Sequence, residues 1–460
     1  MTTTTSPAED LLPGLQAVLE TRYGALDDLV PVRLSSGASR TTWLLPGAGS
    51  RPTLFLQQER PGGVPGQSGQ VAEIAAIRAA RAAGVAAPVV VASSIDEGAP
   101  AGLGEFVLVE GLPGGSDPAP LLTEERFAGA RERFAAQVGE LLARLHTIGT
   151  EHLSGVPATD PLEFYRDLLD ELGEPHPALE VALAWLVAHR PAPVATPALV
   201  HGDFRVGNLM YDETGLCGVL DWEITHVGDP AEDLGWLCVP SWRFGGPGRA
   251  GGVASVAEVL GSYRAAGGRS EVTAERVRWW EVFGTFKWAV ICIMQAAAHR
   301  NGSERSVELA VLGRRTASVE RDLLDLICAP DPLPFDEEIP EGTAGPHDAP
   351  DAAGLLEAVR EHLAEAVLPE LTGRTGYLTR VSLRALAITE RELRLGALLA
   401  ARHRDRLAAA GSADDATLAR AIRTGELGYD RALELVVELV ADKLRVSDPR
   451  RLSSGNVAWE

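Results

Sequence analysis

Residues 329–350, APDPLPFDEEIPEGTAGPHDAP, show no apolar periodicity and are rich in Pro, Gly and acid. Such a stretch cannot bury enough apolar surface to offset the entropy of ordering, so it forms no packed element. It reads as a linker that divides the chain. At 460 residues the chain exceeds what a single hydrophobic core usually supports, which agrees with two or more domains. A hydrophobic fraction of 45% beside 23% charged residues is ordinary for globular folding.

Ahead of the linker the pattern changes twice. Leu11, Leu12, Leu15, Val18 and Leu19 recur at helical spacing, predicting a first helix that ends near Gly24. LVPVRLSS, TTWLLPG and TLFLQQER then read as strands, QVAEIAAIRAARAAG as a helix closing at Gly84, and VVVASS and GEFVLVEGLPGG as two further strands. Residues 1–112 are thus a small sheet with one helix between its third and fourth strands. From Leu121 onward the spacing is helical, with one β-hairpin expected near residues 198–221. Tryptophans 279, 280 and 288 fall at helical spacing and are assigned to the core. Beyond the linker, residues 351–446 read as four helices and RLSSGNVAWE as a loose tail.

A formal charge of -22 argues against a nucleic-acid partner, which needs clustered Lys and Arg. The start, MTTTTSPAED, lacks the pattern of a secretory leader, and WAVICIMQAAA is shorter than a bilayer span. No membrane partner and a cytoplasmic location are therefore expected. Cys217, Cys238, Cys292 and Cys328 lie far apart, which suggests four core thiols and neither a zinc site nor a disulfide framework. Among 42 cationic residues, Lys287 and Lys443 are the sole lysines.

The hairpin segment, LVHGDFRVGNLMYDETGLCGVLDWE from Leu199 to Glu223, contains the chemistry. DETG is a turn sequence, so Asn208 starts one strand and Asp221 ends its partner, bringing both side chains to one end of the hairpin. Asp203 lies on the loop just before. Oxygen ligands converging without His or Cys suit Mg2+, which keeps waters and takes further ligands from phosphates. Phosphoryl transfer needs such a metal, together with a carboxylate that orients the attacking hydroxyl. Asn208 with Asp221 fits the first role and Asp203 the second. Arg205 is placed either to meet the transferred phosphate or to brace the loop, and His146 is read as a core histidine.

HGDFRVGN at 201–208, LDWE at 220–223 and GDPAEDLGWL at 228–237 resemble the aminoglycoside phosphotransferase and choline kinase family. The resemblance implies an α+β, bilobal protein-kinase-like fold: a nucleotide-binding N-lobe over 1–112 and a C-lobe over 113–328. The linker at 329–350 then leads to a helical domain of unknown function over 351–460. It further implies that Asp203 is the catalytic base, that Asn208 and Asp221 hold Mg2+, that His201 is structural and that Asp233 anchors the catalytic loop.

On the nucleotide side, the turn Ser36, Gly37, Ala38, Ser39 and Arg40 resembles a phosphate-covering loop. Kinases of this fold place a lysine on the third strand against a helix glutamate. Glu73 matches the glutamate, but Gln57 or Gln58 stands where the lysine belongs, and an amide supplies no charge. Either Arg40 or Arg60 replaces that charge, or nucleotide binding is weakened. By resemblance alone, Val109 and Glu110 form the adenine-binding hinge.

The segments are most similar to phosphotransferase domains fused to acyl-CoA dehydrogenases, and to their bacterial relatives. This implies an ATP- and Mg2+-dependent kinase acting on a small-molecule hydroxyl, such as that of a hydroxyacyl-CoA. An antibiotic phosphotransferase and a non-catalytic nucleotide-binding module are the alternatives. RRTASVER and RFGGPGR are candidate Arg patches for CoA. The C-terminal helices read equally as a self-contained bundle or as an oligomerisation surface, lid or docking site.

Overall fold

A computed structural model describes residues 8–331 and 350–453, apart from 25, 27, 35–39, 60–67, 99, 101, 151, 152, 154 and 159. Packing divides the chain into two compact units, Met1–Asp160 with Ala192–Glu281, and Pro161–Pro191 with Val282–Trp459.

The first unit begins with helix α1 (Leu12–Tyr23), strands β1 (Val32–Arg33), β2 (Arg40–Leu45) and β3 (Leu54–Glu59), and helix α2 (Gln70–Ala82). Strand β4 (Val90–Ser93), the short helix α3 (Ser94–Glu97) and strand β5 (Phe106–Glu110) complete the lobe. The five strands form an antiparallel sheet in the order β1-β2-β3-β5-β4. Alternation along each strand gives the sheet two faces. Trp43, Leu45, Leu54, Leu56, Phe106 and Leu108 share a core with Leu11, Leu15, Val18 and Leu19 from α1 and the turn before it. On the other face, Val107 and Val109 pack with Ile74 of α2 and with Phe55. That second face also carries Arg40, Gln57 and Glu59, through the pairs Arg40↔Glu59 and Thr42↔Gln57.

Helices α4 (Pro118–Thr123) and α5 (Ala128–His146) follow, then α6 (Pro161–Leu172) and α7 (Pro177–Ala188), the last two in the second unit. The chain returns to the first unit with β6 (Ala198–Val200), β7 (Leu209–Asp212), β8 (Gly215–Val219), β9 (His226–Gly228), α8 (Ala231–Cys238) and α9 (Val256–Ala265). β7 and β8 are the expected hairpin; β6 pairs instead with β9, a strand that the alternation in the sequence does not mark. Helix α10 (Ala274–Asn301) is long and apolar enough to cross a membrane by length and composition, beyond what WAVICIMQAAA alone suggests. Over half of its apolar window is nevertheless buried in the protein, and the helix also buries Trp279, Trp280 and, wholly, Glu281.

The second unit continues through α11 (Val307–Ile327), α12 (Ala352–His362), α13 (Gly373–Ala409), α14 (Asp415–Arg423), α15 (Tyr429–Ser447) and the short α16 (Arg450–Ser453). The sequence reading draws boundaries at 112 and across 329–350, but the compact units follow another division. Ala178 and Val181 of α7 and Ala317 and Leu324 of α11 share one core with Leu418, Val436, Leu439 and Leu444 from the C-terminal helices. The start of the expected loose tail also packs, with Leu452 fully buried in that core. Most of the linker, 332–349, lies outside the described residues.

Candidate active site

The loop between β6 and β7 is shaped from beneath by one side chain. Asp233 of α8 accepts the backbone N–H of His201 at 3.0 Å and of Gly202 at 2.9 Å. Gly202 has φ +82°, and a Cβ there would lie 2.5 Å from the Ile224 carbonyl oxygen, so this turn requires glycine. His146, wholly buried, contacts Asp233 Oδ2 through Nε2 at 3.2 Å and the Tyr263 hydroxyl through Nδ1 at 3.1 Å. Burial alone would raise the Asp233 pKa; the His146 hydrogen bond and charge hold it below the usual range. His201 is buried too, and burial lowers its pKa, favouring the neutral ring. Its Nε2–H then donates to the Leu220 carbonyl at 3.0 Å while Nδ1 accepts the Asp203 N–H at 3.2 Å. His201 and Asp233, expected as structural residues, are both held inside the loop by these contacts.

Asp203 stands on top of this frame. Trp236 Nε1 donates to its Oδ1 at 2.6 Å, and Asn208 Nδ2 donates to its Oδ2 at 2.6 Å and its backbone oxygen at 3.0 Å. Arg205 Nε reaches both carboxylate oxygens, at 3.1 and 3.2 Å, and its guanidinium lies 5.0 Å from the centre of the Trp242 ring. Arg205 is thus engaged within the loop by the Asp203 carboxylate. Trp236 belongs to the GDPAEDLGWL motif and falls three residues after Asp233 on the same helix, a spacing that shares a helix face, but its contact with Asp203 has no cue in the sequence.

The hairpin register Leu209↔Val219, continued by the Leu220 N–H on the Asn208 carbonyl at 2.8 Å, sets Asn208 and Asp221 at its open end. Asp221 has φ 68°, a left-handed conformation uncommon for a non-glycine residue and frequent at functional positions. Burial, then the charges of Glu223 and Asp203, push its carboxyl up to about 8, against the opposing charge of Arg205. Such a concentration of carboxylates calls for a cation. Among the described residues no three His, Cys, Asp or Glu side chains close on one point. A metal here would rest on one carboxylate and one amide, with water and phosphate completing its shell, as Mg2+ prefers. With Nδ2 engaged by Asp203, Oδ1 is the atom Asn208 offers a cation.

The sheet places a paired cation on the face that carries Gln57. Arg40 on β2 pairs with Glu73 of α2 through two hydrogen bonds, at 2.8 and 2.6 Å, and with Glu59 at 2.6 Å; Glu223 lies 3.9 Å away. Burial disfavours the Arg40 charge, but the Glu73 hydrogen bond and charge raise its pKa and keep it cationic. Gln58 points to the other face, accepting from Trp43 Nε1 at 2.9 Å and donating to the Leu103 carbonyl at 2.8 Å. Gln57 is the glutamine on the Arg40 face. Ser36, Gly37, Ala38, Ser39 and Arg60 lie outside the described residues. At the expected hinge, Val109 packs in the apolar cluster of the second sheet face. The N–H groups of Glu110 and Gly111 are engaged by the carbonyls of Val89 and Thr53, both at 2.9 Å. A base at this edge would thus be read by carbonyl oxygens or by the chain beyond Gly111.

At one of the candidate Arg patches, Arg243 and Arg249 of RFGGPGR both hold buried Glu281, at 2.6 and 2.9 Å, so one of their two charges is balanced within the protein.

The phosphotransferase enzyme family model matches residues 31–280, more than half of the chain. The chain belongs to this family. A separate domain of unknown function, DUF6285, matches residues 369–451. Viomycin phosphotransferase of Streptomyces vinaceus is 30% identical over 236 residues, 45% of this chain and 74% of that protein. Acyl-CoA dehydrogenase family member 10 of Mus musculus is 42% identical over 65 residues, 14% of this chain and only 6% of that protein's length. Among solved structures, a Ralstonia eutropha protein provisionally assigned as an aminoglycoside phosphotransferase superposes with a TM-score of 0.52 at 21% identity. It covers 69% of this chain and 97% of that one. At that identity the likeness establishes the bilobal fold, which agrees with the sheet-containing first lobe and the helical remainder.

Proposed function

We propose that this member of the family is an ATP-dependent small-molecule kinase that moves the γ-phosphate of Mg-ATP to an alcohol. The observation that carries the reading is Asp203, whose two carboxylate oxygens are fixed by Trp236 and Asn208 beside the hairpin end bearing Asp221. In this role Asp203 orients the acceptor hydroxyl and takes its proton as the phosphoryl group transfers. Asn208 and Asp221 would hold Mg2+, which supplies charge neutralisation at the phosphate oxygens when bound. Arg40, kept charged by Glu73 and Glu59, replaces the absent strand lysine as the cation of the first lobe. The first unit contains no lysine.

For the acceptor, a hydroxyacyl-CoA is the first choice, supported by the short stretch at 42% identity with the acyl-CoA dehydrogenase family protein. An antibiotic acceptor is the second, supported by the longer match to viomycin phosphotransferase. ADP release from Mg-ATP, measured with 3-hydroxyacyl-CoAs and with viomycin, separates the two. Asp203→Asn is expected to lower turnover about 10²–10⁴-fold, the usual contribution of a general base. Turnover unaffected by that substitution would remove Asp203 from the chemistry. A raised melting temperature that requires both Mg2+ and ATP, and is lost in Asp221→Ala, is the expected sign of nucleotide binding.

A further inference from the structure

The second unit contains a cavity of about 500 Å3 bordered by α11, α13 and α15. Its floor is a cluster of charged groups that phosphotransfer does not use. Glu320 of α11 is wholly buried, accepts from Lys443 Nζ at 3.0 and 3.1 Å, and contacts His176 Nδ1 at 2.9 Å. These contacts hold the Glu320 carboxyl down at about 2 in spite of burial. His176 is itself buried, with Glu174 3.5 Å from its other ring nitrogen. One of only two lysines in the chain is therefore held beside a cavity by a carboxylate it shares with a histidine.

Charge around the cavity favours an anion. Each lining carboxylate already has its own cation: Glu320 has Lys443, Glu392 has Arg314 at 2.8 Å, and Asp442 has Arg402 and Arg406 from outside the lining. Arg404, exposed, adds a further positive charge to the lining. The Lys443 side chain keeps 37% of its exposure and has a third donor beyond the two directed at Glu320. The walls are apolar, formed by Leu399, Leu439 and Val446.

A glycine enlarges the space. Gly396 interrupts the interior of the 37-residue α13, where glycine costs about 1 kcal/mol relative to alanine. Packing does not require it: a Cβ there would meet only Glu392 Cγ, at an ordinary 3.7 Å. The omitted side chain leaves room on the cavity wall.

We propose that this cavity is a binding site for a small organic anion, a carboxylate with a short apolar body. Lys443 contacts the anionic group, and Leu399, Leu439 and Val446 cover the body. Such a site, mostly apolar with a few convergent polar groups, has the usual make-up of a ligand pocket. It needs residues from both sides of the 329–350 linker: His176 and Glu320 precede it and Lys443 follows.

Calorimetric titration of the full chain with octanoate, octylamine and octanol tests the assignment. Octanoate is expected to bind saturably at one site, at least about tenfold more tightly than either of the others, a difference of about 1.4 kcal/mol. Gly396→Leu, which places a side chain on the cavity wall without replacing any member of the charged cluster, is expected to weaken octanoate binding at least about tenfold without lowering the melting temperature. Lys443→Met is expected to weaken binding at least about tenfold. Because that substitution leaves Glu320 without its lysine and could unfold the unit, Gly396→Leu serves as the independent arm. No saturable binding, equal affinity for octanoate and octanol, or full binding by Gly396→Leu would each overturn the proposal.

Discussion

Asp203 is fixed at both carboxylate oxygens by neutral donors on different elements, Trp236 on α8 and Asn208 at the start of the hairpin. The HGDFRVGN motif makes Asn208 visible as a site residue, whereas the role of the indole becomes visible only once α8 is folded against the loop. Trp236→Phe keeps the ring and removes one hydrogen bond to a charged group, worth roughly 1.5–3 kcal/mol. Turnover should fall about 10–100-fold with the KM for ATP unchanged, because the orientation of the base is lost and not the nucleotide site. An equal loss in KM for ATP would place the tryptophan in nucleotide binding instead. Asp221 carries a pH signature. Its folded pKa of about 8 lies above the ordinary carboxylate value, so between the two the native state binds the proton that the unfolded chain has released. The contribution of Asp221 to stability without metal is therefore greatest at low pH and declines as pH rises toward 8. Asp221→Asn should flatten this decline, and Mg2+, which requires the ionised carboxylate, should restore wild-type stability at pH 8 but not that of the variant. Melting curves of both proteins from pH 5 to 9 measure the difference, which excludes the other titrating groups common to both.

At the scale of elements, α2 is held to the sheet by an ion pair whose location was only half legible. Alternation in RTTWLL and TLFLQQE is enough to predict the strands and their two faces, because period-2 patterning is local. Glu73 is equally legible as the helix partner. That its cation comes from β2 and not β3 depends on the register Arg40↔Glu59, a tertiary fact with no local signal. The same limit hides β9, whose three residues pair with β6 across nearly thirty positions of chain. Arg40→Met should test the weight of the pair. Glu73 is almost fully buried, so losing its cation leaves an uncompensated charge, with an expected cost of about 3–5 kcal/mol in urea unfolding. Arg40→Met combined with Glu73→Met should recover much of that stability, since the penalty lies mainly in the orphaned charge. Nucleotide-dependent stabilisation should stay low in both variants if Arg40 is the first-lobe cation. Recovery of Mg-ATP binding in the double variant would assign the pair to structure alone.

At the scale of the whole chain, the composition of 329–350 reads as a linker, yet a linker in sequence need not separate cores in space. The nearly all-apolar run of α7 and the amphipathic spacing in α11 and α15 tell which residues seek burial but not which helix covers them. The core around Leu439 and Leu444 draws Ala178, Val181, Ala317 and Leu324 from before the linker. The polar contacts across this core agree. Arg423 of α14 binds Asp170 at 3.0 Å and Glu180, and Lys443 of α15 binds the buried Glu320. A chain ending at residue 331 would therefore lose the apolar cover of α7 and α11 and the cation beside Glu320 together. Removing one partner of a buried pair already costs about 3–5 kcal/mol, comparable to the net stability of many domains. The expected outcome is a truncated protein that aggregates, or binds a hydrophobic dye and melts without cooperativity. Size-exclusion chromatography and dye fluorescence read this directly. A monomeric, cooperatively melting 1–331 fragment would show instead that the helices after the linker are an appendage, whereas aggregation would make them part of the fold that completes the second unit.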